Sequence, residues 1–446
     1  MLRFAVFFSV LFVVLTGLCV YIHRRASTVL GLSRRGRLVL GGLLAAGVVA
    51  STLGRLLGGL LSDAFLRVVA AFGMTVMLAV IISAVLLAVV DLPRILVSLV
   101  ARRIQSKPAM DRSVEVAAPA AAAAGALEGA PAAVAGPAIN ESKAEAPIAS
   151  TSPAIPEDTA PAKPSLSRRA FVTHAAAGSA FFIGTGSAAY GAIFGRHDYV
   201  IEEVAIPIPG LPKSLDGFSI AQLSDIHIGL FVGERELNAA EELVRKARVD
   251  MVVMTGDLID SHARYAPELG RLARRLGPLA RRGVVAIPGN HDYFAGIDET
   301  LAALRGGGAT VLKNSGITVG DGGGSFALLG VDDVWAARMN RGGGPNLKAA
   351  LASVPLDLPR VLLCHNPVYF PEVAGDVALQ LSGHTHGGQV NLVVRPADLV
   401  LPYGYVAGQY ERNGSRLYIN RGFGTAGPPA RVQAPPEVTR VVLVAA

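Results

Sequence analysis

The sequence predicts two unlike parts: an N-terminal helical membrane region and, from residue 195, an α/β domain with parallel βαβ units. Three observations predict this. Long uncharged runs crowd the first hundred residues. From Phe218 onward, short apolar runs of strand length alternate with helical segments. Most of those runs end in Asp, Asn or His, the place where open α/β sheets collect their ligand sites.

The membrane part comes first in the chain. Phe4 to Ile22 is uncharged and long enough to span a bilayer, which takes about 20 residues. Leu38 to Leu61 is a second apolar run, broken by Arg55, and Val68 to Val90 is a third without any charge. Three transmembrane helices are therefore expected within residues 1–105. Arg24, Arg25, Arg34, Arg35 and Arg37 follow the first run, and Arg94, Arg102, Arg103, Lys107 and Arg112 follow the third. The positive-inside rule makes both flanks cytoplasmic and sets the N-terminus outside. Arg55 either snorkels to the outer interface or marks a polar site between the helices.

Residues 106–166 are dominated by Ala and Pro without hydrophobic period and are expected to be a disordered linker. Residues 167–194 begin Ser167-Arg168-Arg169-Ala170-Phe171-Val172 and continue as an Ala/Gly-rich, mildly apolar run. This segment looks like a twin-arginine export signal. A plain fourth anchor with two cytoplasmic arginines would look the same, and both place residue 195 onward outside the cytoplasm. An amphipathic segment that never crosses would leave the domain inside.

In residues 195–446 the expected elements are strands at FSIAQLSDIH, DMVVMTGDL and GVVAIPGNHD, with helices over Glu234 to Ala247 and Leu269 to Leu279. Further strands are expected at SFALLGVDD, PRVLLCHNP, VALQLSGHTH, RLYINRGF and EVTRVVLVA. Charge excludes one class of partner. Residues 1–194 hold 17 Lys/Arg and 9 Asp/Glu, whereas residues 195–446 hold 24 and 25. The basic excess lies beside the apolar runs and not on the folded domain, so no nucleic-acid partner is expected. Two cysteines, Cys19 and Cys364, make no disulfide framework.

The polar strand ends are Asp225-Ile226-His227, Gly256-Asp257, Gly289-Asn290-His291-Asp292, Cys364-His365-Asn366 and Gly383-His384-Thr385-His386, which contain five of the nine histidines. One such histidine is usually a structural residue; five beside Asp and Asn are not. In Asp-x-His and His-x-His, residues i and i+2 point the same way, so two ligands can face one ion. Mixed carboxylate, amide and imidazole donors suit Mn, Fe or Zn. One metal takes about four protein ligands, so seven or eight imply two divalent ions sharing a bridging carboxylate. The glycines before Asp257, Asn290 and His384 permit tight turns and close backbone approach. Cys364, beside His365 on a buried run, reads as core packing and not as a nucleophile. Tyr293, Phe294, Tyr369, Phe370 and Tyr403 lie near the motifs and suit either substrate contact or core packing.

The ordered series D-x-H, G-D, G-N-H-D, H, G-H-x-H over residues 215–445 resembles the calcineurin-like metallophosphoesterase superfamily. The GHTHGGQ form, with the later RGFGT and RVQAPPEVT runs, resembles its bacterial membrane-anchored branch. The resemblance implies an α/β four-layer (αββα) sandwich, two packed β-sheets with helices outside, over residues 195–446. It implies that Asp225, His227 and His386 bind one metal, that Asn290, His365 and His384 bind the other, and that Asp257 bridges them. It also implies two catalytic residues: His291 as proton donor or transition-state stabiliser at the leaving group, and Asp292 as the acid that orients it. The expected reaction is in-line attack on phosphorus by a hydroxide bridging the metals, with no covalent enzyme intermediate.

The sequence departs from the family at one point. Members with GDxxDRG carry an Arg soon after the bridging Asp, whereas here the run is Gly256-Asp257-Leu258-Ile259-Asp260-Ser261-His262. That favours phosphodiester or pyrophosphate substrates over a phosphoprotein. The anchor favours a lipid-linked or envelope phosphate, with the protein multi-pass in the cytoplasmic (inner) membrane, its α/β domain outside, and no protein partner. Two alternatives stand beside this. One is a UDP-2,3-diacylglucosamine pyrophosphatase of lipid A biosynthesis at the cytoplasmic face. The other is a membrane sensor or transporter with an attached hydrolase.

Overall fold

The computed structural model describes residues 2–56, 61–105, 168–320, 322–339 and 343–446. The linker expected over 106–166 lies outside the described residues, as does Ser167. Four long helices come from the N-terminal part: α1 (Leu2–Val29), α2 (Arg34–Leu56), α3 (Asp63–Gln105) and α4 (Arg168–Ile193). Helices form at all three expected runs. Among the described residues one helix, Asp63–Arg103, is long and apolar enough to cross a membrane. It starts five residues before the apolar run and ends well after it. Asp63 in its first turn and Arg102 and Arg103 in its last complement the helix dipole at both ends.

Cys19 and Ile22 of α1, Leu44 of α2, Met77, Val80, Ala84 and Leu87 of α3, and Ala177 and Ala180 of α4 share one buried cluster. Small residues bring these helices close, as they do in membranes. A Cβ on Gly47 of α2 would meet Val76 of α3 at 2.6 Å, and one on Gly73 of α3 would meet the Ser51 nitrogen of α2 at 2.2 Å. Higher numbers on α2 thus lie against lower numbers on α3, so the two run antiparallel. The arginines at the start of α2 and Asp63 at the start of α3 therefore mark opposite ends of this bundle.

The described residues of the remainder contain twelve strands: β1 (Val200–Ile208), β2 (Ser219–Leu223), β3 (Met251–Thr255), β4 (Val284–Ile287), β5 (Thr310–Val311), β6 (Ser315–Gly320), β7 (Ser325–Gly330), β8 (Arg360–Leu363), β9 (Leu379–Ser382), β10 (Gly408–Arg412), β11 (Ser415–Ile419) and β12 (Glu437–Ala445). They make two six-stranded sheets, ordered β1-β12-β2-β3-β4-β5 and β10-β11-β9-β8-β7-β6. Both are mixed. The β2–β5 run is parallel, but β12 is antiparallel to β2, as β6 is to β7 and β10 to β11.

Period-two alternation makes each sheet two-sided. Ile220, Val253, Val285 and Ile287 of the first sheet meet Phe326, Leu328, Val361, Leu363, Leu381 and Tyr418 of the second in one buried layer. Their neighbours Ala221, Leu223, Val252, Met254 and Ala286 face outward against helices α5 (Glu234–Ala247), α6 (Ala266–Leu276) and α8 (Ile297–Gly306). Leu329, Leu362 and Leu417 face the other side, against Ala350, Phe370 and Val373 of two short helices. The result is the four-layer αββα sandwich. Gln222 of β2 donates to the Ser382 carbonyl of β9 at 2.9 Å, tying the two sheets together at one end.

Two of the departures from the sequence expectation concern where elements end. The helix expected to run to Leu279 ends at Leu276 and continues as a 3₁₀ turn over Gly277–Leu279, where Pro278 removes an amide donor. The GVVAIPGNHD strand stops at Ile287, and Asn290 opens the short helix α7 (Asn290–Ala295).

Candidate metal centre

Strands β2, β3 and β4 are parallel neighbours in one sheet, and β8 and β9 are parallel neighbours in the other. Their carboxyl ends therefore lie side by side, and the five polar motifs follow those ends directly. Asp225, His227, Asp257, Asn290, His365 and His386 are all buried. Asp225, His227 and His386 form one group whose ligand atoms lie within 4.8 Å of one another, and Asp257, His365 and His384 form a second. The first group joins the three residues expected for one ion. The second joins Asp257 to two of the three residues expected for the other.

The backbone makes this convergence in an unexpected way. Asp225, His227, Asp257, His384 and His386 all have positive φ, between 51° and 74°. The strands do not merely fray; residues i and i+2 are each turned into the left-handed region, which costs about 1–2 kcal/mol per non-glycine residue. Surrounding hydrogen bonds hold the strain. Asp225 N–H donates to the Gly256 carbonyl, His227 to Asp257 and Ile228 to Leu258, at 2.9–3.0 Å. Two glycines are needed for close approach. A Cβ on Gly383 would stand 2.1 Å from Asp225 Oδ2, and one on Gly289 would stand 2.4 Å from Asp257 Oδ1.

In the first group His227 Nε2 and His386 Nε2 face each other at 3.1 Å, with Asp225 Oδ1 3.4 Å from the latter. Ser224 Oγ and the His384 amide donate to the Asp225 carboxylate and aim it. In the second, His365 Nδ1 lies 2.8 Å from the Thr255 carbonyl, which fixes the proton there. Its Nε2 faces Asp257 Oδ2 at 3.1 Å and His384 Nδ1 at 3.3 Å. A histidine that donates one nitrogen to a backbone carbonyl and offers the other is the usual arrangement of a metal ligand. Asn290 Oδ1 is buried without a hydrogen-bond partner. An orphaned buried carbonyl costs about 1–3 kcal/mol unless a cation takes the lone pair.

The donor histidines divide electrostatically: burial works against a charged His365, yet the Asp257 and Asp225 carboxylates raise its pKa well above the ordinary value, whereas the other three are shifted down. Burial pushes the His227 and His384 pKa values down to about 4, helped at His384 by His365, so both rings are neutral with a lone pair free. Burial, His227 and Arg431 hold His386 well below its ordinary value. Burial works against the Asp257 carboxylate, yet His365, His291 and His227 outweigh it and keep its pKa well below the usual range. The donor set fits divalent metals.

His291 sits beside this centre. Its backbone N–H donates to Asp257 Oδ1 at 2.7 Å, and its ring meets the His227 ring edge-on at 4.6 Å. Its ionic partner is Asp260, 3.4 Å from Nδ1. Asp292, expected to orient His291, faces elsewhere. One carboxylate oxygen accepts from the Leu258 and Ile259 amides and the other from the Gly289 amide, so its side chain braces the backbone under the centre. The orienting acid is three residues beyond Asp257.

Arg431 is a further residue that the sequence does not single out. Fully buried, it donates to the carbonyls of Gly422, Gly424 and Ala434 and lies 3.2 Å from His386 Nδ1. The end of α4 closes over it: the Arg431 amide donates to the Gly191 carbonyl at 3.1 Å, and a Cβ on Gly195 would meet the Arg431 carbonyl at 2.0 Å. Cys364 packs in the outer core of the second sheet, and burial lifts its thiol well above the ordinary range. Of the flagged aromatics, Tyr293, Tyr369 and Phe370 are core; Phe294 is exposed with its ring against His291, and Tyr403 is exposed.

Residues 218–388, which carry every one of these motifs, match the family described as calcineurin-like phosphoesterase. The metallophosphoesterase YkuE of Bacillus subtilis is 32% identical over 51% of this chain and 80% of its own length. The chain belongs to the calcineurin-like phosphoesterase family. It is a metal-dependent phosphoester hydrolase. A transmembrane protein with a metallophosphoesterase domain from Danio rerio is 33% identical over 57% of this chain, which spans 60% of that longer relative. By fold, a 5'-nucleotidase precursor from Thermus thermophilus matches over 51% of this chain and 54% of its own, with 13% identity and a TM-score of 0.32. The 218–388 match does not include the N-terminal helices.

Proposed function

We propose that this calcineurin-like phosphoesterase is a membrane-anchored dinuclear-metal enzyme hydrolysing phosphodiester or pyrophosphate bonds of a lipid-linked or envelope substrate outside the cytoplasm. The carrying observation is the pair of donor groups, Asp225 with His227 and His386 and Asp257 with His365 and His384, linked by Asp257 Oδ2 standing 3.8 Å from His227. Asp225, His227 and His386 would hold one ion, Asn290, His365 and His384 the other, and Asp257 would serve both. Two bound divalent ions supply Lewis acidity toward phosphoryl oxygens and a water of lowered pKa. His291, with Nδ1 committed to Asp260, is left with Nε2 to protonate the leaving oxygen. Asp260 is a positioning residue, and Asp292 keeps the Gly289 and Leu258–Ile259 backbones in register.

A diester is favoured because arginine clamps are missing where a monoester would need them. Residues 258–262 contain none, Arg431 is consumed by carbonyls, and Arg421 is paired with Glu202 and Glu437. With the full chain in detergent, chelation should abolish hydrolysis of bis-nitrophenyl phosphate, and Mn, Fe or Zn should restore it. Activity on the monoester should be the lower of the two. Chelator-resistant turnover, or a monoester preference, would count against the reading.

Sidedness is supported by how the α/β domain meets the bundle. Arg67 Nε of α3 donates to the Leu230 carbonyl at 2.7 Å, and Asp63 pairs with Arg264 at 2.8 Å and accepts from Tyr265. The domain thus meets α3 from its Asp63 end inward as far as Ile82, and the Asp63 end, opposite Arg34, Arg35 and Arg37, is the one that the positive-inside rule turns outward. The same docking opposes a cytoplasmic nucleotide-lipid substrate. Replacing Arg168 and Arg169 with Lys should leave the domain protected from external protease if the segment is a twin-arginine signal. Unchanged accessibility would make it a plain anchor.

A further inference from the structure

Beyond His386 the chain runs through Gly387, Gly388 and Gln389 into a loop, residues 390–403, that contributes no donor to the metal centre. Within the described part of residues 195–446, eight large hydrophobic side chains are exposed, and five of them are Val393, Val394, Leu399, Val400 and Tyr403. Val393 is 98% exposed, Leu399 85% and Val400 77%. So dense an apolar cluster is not ordinary surface; it marks a face that something covers. The loop's two charges, Arg395 and Asp398, pair with each other at 2.7 Å, so it presents no net charge.

What covers it is indicated by its base. Val390 and Leu392 pack in one cluster with Leu78 and Ile82 of α3 and Ala188 of α4. At 1.5 Å per residue, Leu78 and Ile82 lie about 22–28 Å along α3 from Asp63. That is well inside the helix whose length and apolarity suit a membrane crossing. The exposed tip begins one residue after Leu392. It is therefore continuous with a membrane-crossing surface, and the occupant consistent with that level of α3 is hydrocarbon. His386 is four residues before Val390, a reach of about 14 Å at full extension.

We propose that the 390–403 loop inserts into the bilayer beside α3 and delivers to the metal centre a phosphoester whose acyl or prenyl portion stays in the lipid. The proposal rests on the membrane-anchored reading and specifies its substrate as an amphiphile drawn from the lipid phase. A soluble envelope phosphodiester would have no use for such a loop.

The full chain is reconstituted in phosphatidylcholine vesicles, with Val400→Trp introduced into a Trp335→Phe background so that one indole reports. Lipids brominated on their acyl chains should quench that emission strongly, and should leave the native Trp335 of the unmodified chain largely unquenched. An unquenched indole in the Val400→Trp protein overturns insertion; one that is blue-shifted but unquenched means a protein surface or second copy covers the loop. In parallel, Leu399→Asp with Val400→Asp should keep hydrolysis of soluble bis-nitrophenyl phosphate within about twofold. Hydrolysis of a vesicle-embedded phosphodiester amphiphile should fall at least tenfold. Equal loss on both substrates, or no loss on either, overturns the delivery role. Absence of any diesterase activity in the unmodified chain would instead refute the enzymatic reading, and the quenching result would stand apart from it.

Discussion

Asp257→Asn is expected to reduce phosphodiester turnover more than about 100-fold and to lower bound metal toward one ion per chain. Loss of a residue that only orients a ligand costs about 10–100-fold in metal affinity or activity, and Asp257 is placed to do more. Its Oδ2 faces His365 at 3.1 Å and His227 at 3.8 Å, so one carboxylate oxygen addresses both donor groups. Its Oδ1 meanwhile accepts the His291 amide. An amide keeps the shape and removes the charge that offsets two cations. Elemental analysis gives the deciding number: full occupancy of both metals in the variant would show that Asp257 is not the shared ligand.

His291→Ala should lower turnover by about 10²–10⁴-fold, the usual contribution of general acid–base catalysis. Both metals should remain, because the His291 ring is directed at Asp260, and its backbone amide to Asp257 survives the substitution. The loss should shrink on nitrophenyl esters, whose leaving group needs little protonation, and be full on alkyl esters. Asp260→Asn should show the same leaving-group pattern in weaker form, as befits a residue acting through the ring. A metal-depleted His291→Ala protein would make it a ligand. Unchanged turnover on alkyl esters would assign the proton to another group.

The contrast between what is and is not legible in the sequence has a physical pattern. Eight strands stand where short apolar runs predict them, and the four that do not, β1, β5, β6 and β10, are the edge strands of the two sheets. An edge strand is half solvated, so VIEEVAIPI and GQYER carry Glu, Gln and Arg where a central strand is apolar. In the second sheet the antiparallel pairs lie at those edges, β10 on β11 and β6 on β7, whereas in the first the antiparallel pair is interior, β12 on β2, and run length alone does not give strand direction. The donor residues are legible because metal chemistry restricts residue type, and strand ends bring such residues together whatever the intervening length. Their supports are not. Asp260 lies three residues after Asp257 and is returned to the centre by the positive φ of Asp257, which no propensity would give a non-glycine residue. Arg431 is 45 residues beyond His386, and only its place in the RVQAPPEVT run hints at a role. Asp292 departs from its expected role because adjacency to His291 in sequence is not adjacency of side chains; on a helix turn they diverge.

The seat of Arg431 makes the end of α4 part of the enzyme's architecture. Its guanidinium backs His386, and its own backbone is walled by Gly191 and Gly195 at the end of α4. A fragment cut to begin after His197 would keep every ligand yet lose that wall. It would leave the Arg431 amide without its partner and open a water path to the rear of His386. Titrating such a fragment with divalent metal against the full chain would measure the difference, and equal affinities would show the wall to be dispensable. Solubilising this catalytic domain by trimming is thus a modification of its metal site, carried out from the far side of an arginine.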